Sequence, residues 1–286
     1  MLTEDLKRRI SALRRGEVAP GEARVTTRRL GSELRDHFPE GEVCTTPRGE
    51  VFACHVPLSG LVAEAGRLAA AYHAVFRCAR RLAEEGALAP HLAPLAEAEA
   101  AGTVLIDTET AGFHGRPLFL IGLLRCVEGE LVLSQYFARD YAQEAALLSQ
   151  FADLLPEIAL LVSFNGKAFD WPFVRDRMVY HRLDCEAEFA HLDLLHSSRR
   201  RWRSRLPNCR LQTLERYLCG RWRSGDIPGA EIPQRYHDFV REQEARLISP
   251  IFHHNRLDLI TMVEILVALV GGGEPEAKES VNGARR

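Results

Sequence analysis

No two of the seven cysteines, at positions 44, 54, 78, 126, 185, 209 and 219, stand in CxxC spacing, and their number is odd. That excludes a zinc ribbon and a disulfide framework and predicts free thiols, as in a reducing cytoplasm. A membrane-spanning run is missing too: the longest apolar stretch, Leu257 to Val270, is short and carries Asp258 and Glu264. The N-terminus, MLTEDLKRRISALRRGE, lacks the apolar core of a secretory signal, and acids interrupt its basic pattern, unlike a transit peptide. A soluble, cytoplasmic protein with no membrane partner is expected. Surplus positive charge is also absent. With a net charge of -2, attraction to a polyanion must come from a local patch.

What is present is an ordinary globular composition, 46% hydrophobic and 27% charged over 286 residues, which suits one main domain with an appendage. Leu2 to Arg15 has helical spacing, and a Gly-, Pro- and charge-rich connector follows to about Gly41. Glu42 to Val56 reads as a hairpin around Thr46-Pro-Arg-Gly49, and Leu61 to Ala98 as one or two helices. From Gly102 the pattern changes: Thr103–Asp107, Leu118–Cys126 and Leu131–Phe137 are three strand-like runs. A helix over Gln143–Leu155, a buried strand over Ala159–Phe164 and a helix over Trp171–His181 follow. This is an α/β pattern. It divides the chain into an N-terminal helical and hairpin extension (1–99), a main domain (100–270) and a disordered tail (271–286).

Acids gather at three places. In Ile106-Asp-Thr-Glu-Thr110 the acids are two apart on a strand, so they share a face and can bind one divalent cation together. The apolar residues before them place this charge at a buried strand end, where it is costly unless neutralised; two solvated strand-end acids are the plainer alternative. In Leu160-Leu-Val-Ser-Phe-Asn-Gly-Lys-Ala-Phe-Asp170 an acid again follows a buried strand and a glycine turn. Asp170 either caps the next helix or ligates a metal. In Phe252-His-His-Asn-Arg-Leu-Asp258 the acid lies on a largely buried helix. His254 stands one turn before it, and His253 about 100° further round.

These elements in this order resemble the DEDD exonuclease superfamily: Asp-x-Glu, then Asn165, Phe169 and Asp170 as the middle motif, then a histidine shortly before a final Asp. The chain further resembles the YprB-type branch of ribonuclease-H-like proteins. That likeness runs through Asp107-Thr-Glu-Thr-Ala-Gly-Phe113, His191-Leu-Asp-Leu-Leu195, Leu211-Gln-Thr-Leu-Glu215, Gly225-Asp-Ile-Pro-Gly-Ala-Glu-Ile-Pro233 and His254-Asn-Arg-Leu-Asp258, over about residues 100–270. The resemblance implies a ribonuclease-H-like mixed sheet flanked by helices. It implies that Asp107, Glu109, Asp170 and Asp258 hold two Mg²⁺ or Mn²⁺ ions for 3′–5′ hydrolysis of DNA ends. Asp107 would bridge both ions, Glu109 and Asp258 would complete the first, and Asp170 would serve the second. His254 would orient or deprotonate water, with His253 competing. Work in DNA repair, beside a helicase, is implied in the same way, and DNA is favoured over RNA.

Between Arg199 and Arg223 stand nine arginines and one acid, Glu215, with Trp202 and Trp222 interleaved. Guanidinium forks suit phosphates and indoles stack on bases. Arg199, Arg200, Arg201, Trp202, Arg203 and Arg205, with Asn165 and Phe169 of the middle motif, are therefore candidate nucleic-acid contacts; a solvated helix face with core tryptophans is the alternative. His191, Asp193 and His196 fit a polar helix face better than a second metal site. A structure-selective endonuclease on the same fold and a non-catalytic nucleic-acid-binding module are the competing functional readings.

Overall fold

A computed structural model describes residues 34–112 and 115–272. The helix expected over Leu2–Arg15, most of the connector, Phe113 and the tail beyond Gly272 lie outside the described residues. Seven strands form one sheet: β1 (Gly41–Thr46), β2 (Gly49–Pro57), β3 (Thr103–Thr110), β4 (Leu118–Val127), β5 (Glu130–Phe137), β6 (Leu160–Ser163) and β7 (Ala190–Asp193), in the order β1-β2-β5-β4-β3-β6-β7. The first five strands pair antiparallel, whereas β6 and β7 run parallel to β3. The expected hairpin forms, and because β2 pairs with β5 it lengthens the sheet rather than standing apart from it.

Helices cover both faces: α1 (Ala65–Glu84), α2 (Pro94–Glu97), α3 (Glu144–Ala152), α4 (Asp170–Tyr180), α5 (Leu194–Trp202), α6 (Leu211–Leu218), α7 (Ile232–Glu242) and α8 (Ser249–Gly271). Strand alternation sorts the side chains of β3, with Val104 and Ile106 entering one core and Leu105 the other. The first core takes residues from α3, α4 and α7, and the second from α1, α5, α6 and most of α8. Burial on both faces explains why β3, β4 and β6 read as continuous apolar runs.

One expected element differs. His191 and Asp193 were expected on a helix face with His196, but they lie on β7, and only His196 is on α5. Buried Asp193 accepts from the backbone N–H groups of Asn165, Lys167 and Leu195 at 2.9, 3.2 and 3.0 Å. It ties the loop after β6 to the start of α5, a capping role. All seven cysteines are free, and no described helix is long and apolar enough to cross a membrane.

Candidate active site

Three segments meet at the carboxyl end of β3. The parallel β6 ends beside it, and in such sheets the crevice beyond the strand ends is where ligands bind. Asp107 and Glu109 arrive on alternate positions of β3, ahead of an irregularity in its pairing with β4 at Glu109 and Thr110. Asp170 arrives at the first turn of α4, through a tight turn in which Asn165 is left-handed (φ 69°). Gly166 is needed there, since a Cβ would lie 2.5 Å from the Ser163 side chain and 2.9 Å from Asp170 Oδ2. Thr108 Oγ1 donates to Asp170 Oδ1 at 2.6 Å, joining the first two segments.

The third segment, α8, is seated by a row of residues across the sheet. Asp107 pairs with Gly122, and Gly122 with Gln135. Above that row lies Asn255, fully buried, with Nδ2 donating to Asp107 Oδ2 at 2.8 Å and Oδ1 accepting from Gln135 Nε2 at 2.8 Å. Gln135 also donates to the Phe252 carbonyl at 3.0 Å and accepts from Arg256 Nε at 2.7 Å. A Cβ on Gly122 would stand 2.1 Å from Asn255 Oδ1. Gly122 therefore sets how closely α8 approaches, and with it where Asp258 sits.

The four acids repel one another. Burial, and then the charges of Asp258, Glu109 and Asp170, push Asp107 well above the usual carboxylate range. Glu109 rises for the same reasons, with Asp258, Asp170 and Asp226 as its neighbours. Asp170 is raised to about 6, chiefly by burial, and burial also raises Asp258 against the opposing pull of Arg223 and His254. Perturbed acids gathered in a crevice are a mark of a functional site.

A basic and acidic frame surrounds Asp258. His254, buried, has Nδ1 2.9 Å from both oxygens of Asp226 and Nε2 3.6 Å from Asp258 Oδ2, whereas His253 is exposed. Arg223 pairs with Glu215 and Asp226. Its Nη2 comes within 2.6 Å of Asp258 Oδ1, but out of line for a hydrogen bond, so both buried atoms lack one. Asp226 is held below the usual range: burial opposes this, and the hydrogen bonds from Arg223 and His254 overcome it. Asp226, Arg223, Asn255, Gln135 and Gly122 were not singled out as site residues from the sequence. Asp226 had a signal, for it stands in the Gly225-Asp-Ile-Pro stretch that carries the resemblance.

The nucleic-acid candidates divide. Phe169, beside Asp170, is 63% exposed. Trp202 is fully buried in the second core and so cannot stack on a base, a correction to the reading that grouped it with the arginines. Arg199, Arg200, Arg203 and Arg205 are exposed. Their neighbour Arg201 donates to the Leu269 carbonyl at 3.1 Å; Leu269 is about 16 Å along α8 from Asp258 at 1.5 Å per residue. Arg201 is therefore remote from Asp258. Arg221 and Arg223 lie nearer but are engaged with Glu215, Glu264 and Asp226.

With this geometry in place, the comparisons decide the family. Residues 104–270 match the model of the RNase H superfamily. The chain belongs to that superfamily. It is 36% identical over 166 residues to YprB of Bacillus subtilis, described as uncharacterized; the match covers 56% of this chain and 40% of YprB, so the chain spans less than half of that relative's length. It is a YprB-type member with a nuclease-type fold. The family B DNA polymerase of the archaeon Pyrobaculum calidifontis is also similar, at 15% identity and a TM-score of 0.47, over 59% of this chain and 24% of the polymerase. Superfamily membership brings the expectation of nucleic acid as partner and divalent metal as cofactor.

The donor set fits such a cation. Four carboxylates supply the hard oxygen ligands that Mg²⁺ and Mn²⁺ prefer, and Asp107 and Glu109 share one face of β3 with their repulsion unrelieved. Among the described residues, no three Asp, Glu, His or Cys side chains already close into a metal cage. Instead three of the four lean on a neighbour: Asp107 on Asn255, Asp170 on Thr108 and Asp258 on Arg223.

Proposed function

We propose that the chain is a metal-dependent 3′–5′ exonuclease of the DEDD type acting on DNA, with its chemistry in residues 100–270. The observation that carries the reading is the convergence of Asp107, Glu109, Asp170 and Asp258 from three segments, each pushed above its ordinary pKa. A structural role gives no reason to gather unneutralised acids, whereas a site for two divalent cations does. Bound there, Mg²⁺ or Mn²⁺ would activate water and neutralise charge on the scissile phosphate.

The chain's own groups supply the rest. Asp226 accepts a proton held on Nδ1 of His254, which leaves Nε2 as the basic nitrogen, turned toward Asp258. That nitrogen is placed to take the proton of the attacking water, and the outward position of His253 favours His254 as the base. Exposed Phe169 stands beside Asp170, where it can pack on the terminal base, next to Asn165. Arg223 keeps Asp258 and Asp226 in place between it and His254.

The test is nucleotide release from end-labelled linear DNA with Mg²⁺ or Mn²⁺. Stepwise loss of 3′ nucleotides is expected, and no release with either metal overturns the reading. Cleavage of circular single-stranded DNA, which has no end, would show a structure-selective endonuclease instead. Unchanged function in Asp107→Ala would show a non-catalytic binding module. Action in DNA repair beside a helicase follows from the resemblance alone; co-purification with a helicase tests it.

A further inference from the structure

Trp222 is 67% exposed, an unusual position for an indole with no core to fill. Arg216 lies over it, with its guanidinium carbon 3.5 Å from a ring centroid. Among the described residues that guanidinium faces the ring and no carboxylate pairs with it, whereas Arg221 and Arg223 on either side of Trp222 are tied to Glu215. The stacked pair borders a pocket of about 580 Å³ between α6 and the loop before α7, within the size range of small-molecule sites. Arg223 and Asp226 line the same pocket, and these residues touch Asp258 and His254. Arg223 and Asp226 are thus a wall that the pocket shares with Asp258 and His254.

We propose that this pocket seats an unpaired nucleobase of the strand being hydrolysed, next to the scissile phosphate, with Trp222 as the stacking platform and Arg216 as the cation beside it. The assignment rests on the nuclease reading and names how that site holds a single strand. Base-on-indole stacking tolerates every base because each has a π-face, and a guanidinium serves both the ring and a passing phosphate. Gln212 and the Asn208 amide nitrogen line the wall with groups able to meet a base edge, and Thr213 holds Asn208 by donating to its Oδ1 at 2.7 Å. The arginines at 199–205 do not line this pocket, and Trp202 among them is buried. Stacking therefore belongs to Trp222.

The experiment is fluorescence anisotropy of a short fluorescein-labelled oligothymidylate at low salt with EDTA, so that binding is read without turnover. Trp222→Ala should weaken binding roughly 5- to 100-fold, Arg216→Ala by less, and Trp222→Phe should retain most of it. An abasic strand should bind the wild type more weakly and lose little further with Trp222→Ala. The exposed ring can be removed without unfolding, which an unchanged Tm checks. Binding by Trp222→Ala equal to wild type, or an equal loss with the abasic strand, overturns the pocket. Hydrolysis by the wild type, followed in parallel with Mn²⁺, separates the two readings. Hydrolysis with unaltered Trp222→Ala binding removes the pocket alone, and a Trp222-dependent loss of binding without hydrolysis removes only the nuclease.

Discussion

Glu144 borders the first core and Asp107 lies on the Leu105 face of β3, toward the second; both are acids, but their surroundings are opposite. Glu144, 1% exposed, accepts from the Leu118 N–H at 2.7 Å, from both arms of Arg177, and from His181 at 2.8 Å. Burial would raise it, and these donors hold it below the usual range. Asp107 has one side-chain donor, Asn255, and three acids as neighbours, so burial and repulsion drive it the other way. A buried carboxylate surrounded by donors fastens a fold, whereas one left among other carboxylates stores strain that a ligand can relieve.

Five substitutions break or sharpen this contrast. Asp107→Ala should lower kcat by about 10³-fold or more, because electrostatic stabilisation of the reacting phosphate depends on the acids acting as a unit; single-turnover hydrolysis of end-labelled DNA measures it. His254→Ala should cost about 10²- to 10⁴-fold in kcat, the range for a general base. In the same assay, His253→Ala should stay near wild type, and a reversed pattern would transfer the role to His253. Glu144→Ala should change folding rather than chemistry: removing one partner of a buried pair strands Arg177 and costs about 3–5 kcal/mol, read as a lower urea midpoint. Asp170→Asn should do the reverse, raising metal-free stability by roughly 1–3 kcal/mol as the cost of burying its charge is removed, while abolishing stabilisation by Mn²⁺.

The pH dependence follows the same contrast. Asp170 has a folded pKa of about 6 against an ordinary 3.8, so between these values the native state binds more protons than the unfolded one. Metal-free stability should then fall as pH rises from about 4 through 6, with the penalty complete above that window. Added Mn²⁺ should raise Tm more at pH 8 than at pH 5. Equal shifts at both would detach the acids from the metal. Glu144, with its lowered pKa, contributes stability that is present above the ordinary carboxylate value and lost as pH falls through its folded pKa.

The acids were legible because their signals are local. The alternation of Asp107 and Glu109 and the buried strand before Asp170 survive in any correct assignment of the elements, and β3, β4, β5 and β6 form where the apolar runs stand. The supporting residues were not legible for the opposite reason. Gly122 and Gln135 matter only because two strands and a helix bring them into one row with Asn255, and nothing in their own neighbourhoods marks them; Asn255 stood within the His254–Asp258 motif, but its partners across the sheet did not show. The arginine run misled in part because sequence counts charges without their partners. Trp202 faces the core, Arg221 and Arg223 are paired inward, and Arg201 belongs to the far end of α8.

By itself the sequence determined the element order, the α/β class and which acids could share a site, since strand period, helix period and turn chemistry are properties of neighbouring residues. Only the tertiary structure decided that His254 turns inward to Asp226 and Asp258 while His253 turns out, and that Trp222 rather than Trp202 is exposed, in a pocket lined also by Arg223 and Asp226. Those choices depend on which helix face meets the sheet. That is settled by packing between residues far apart in the chain, such as the approach of Asn255 over Gly122.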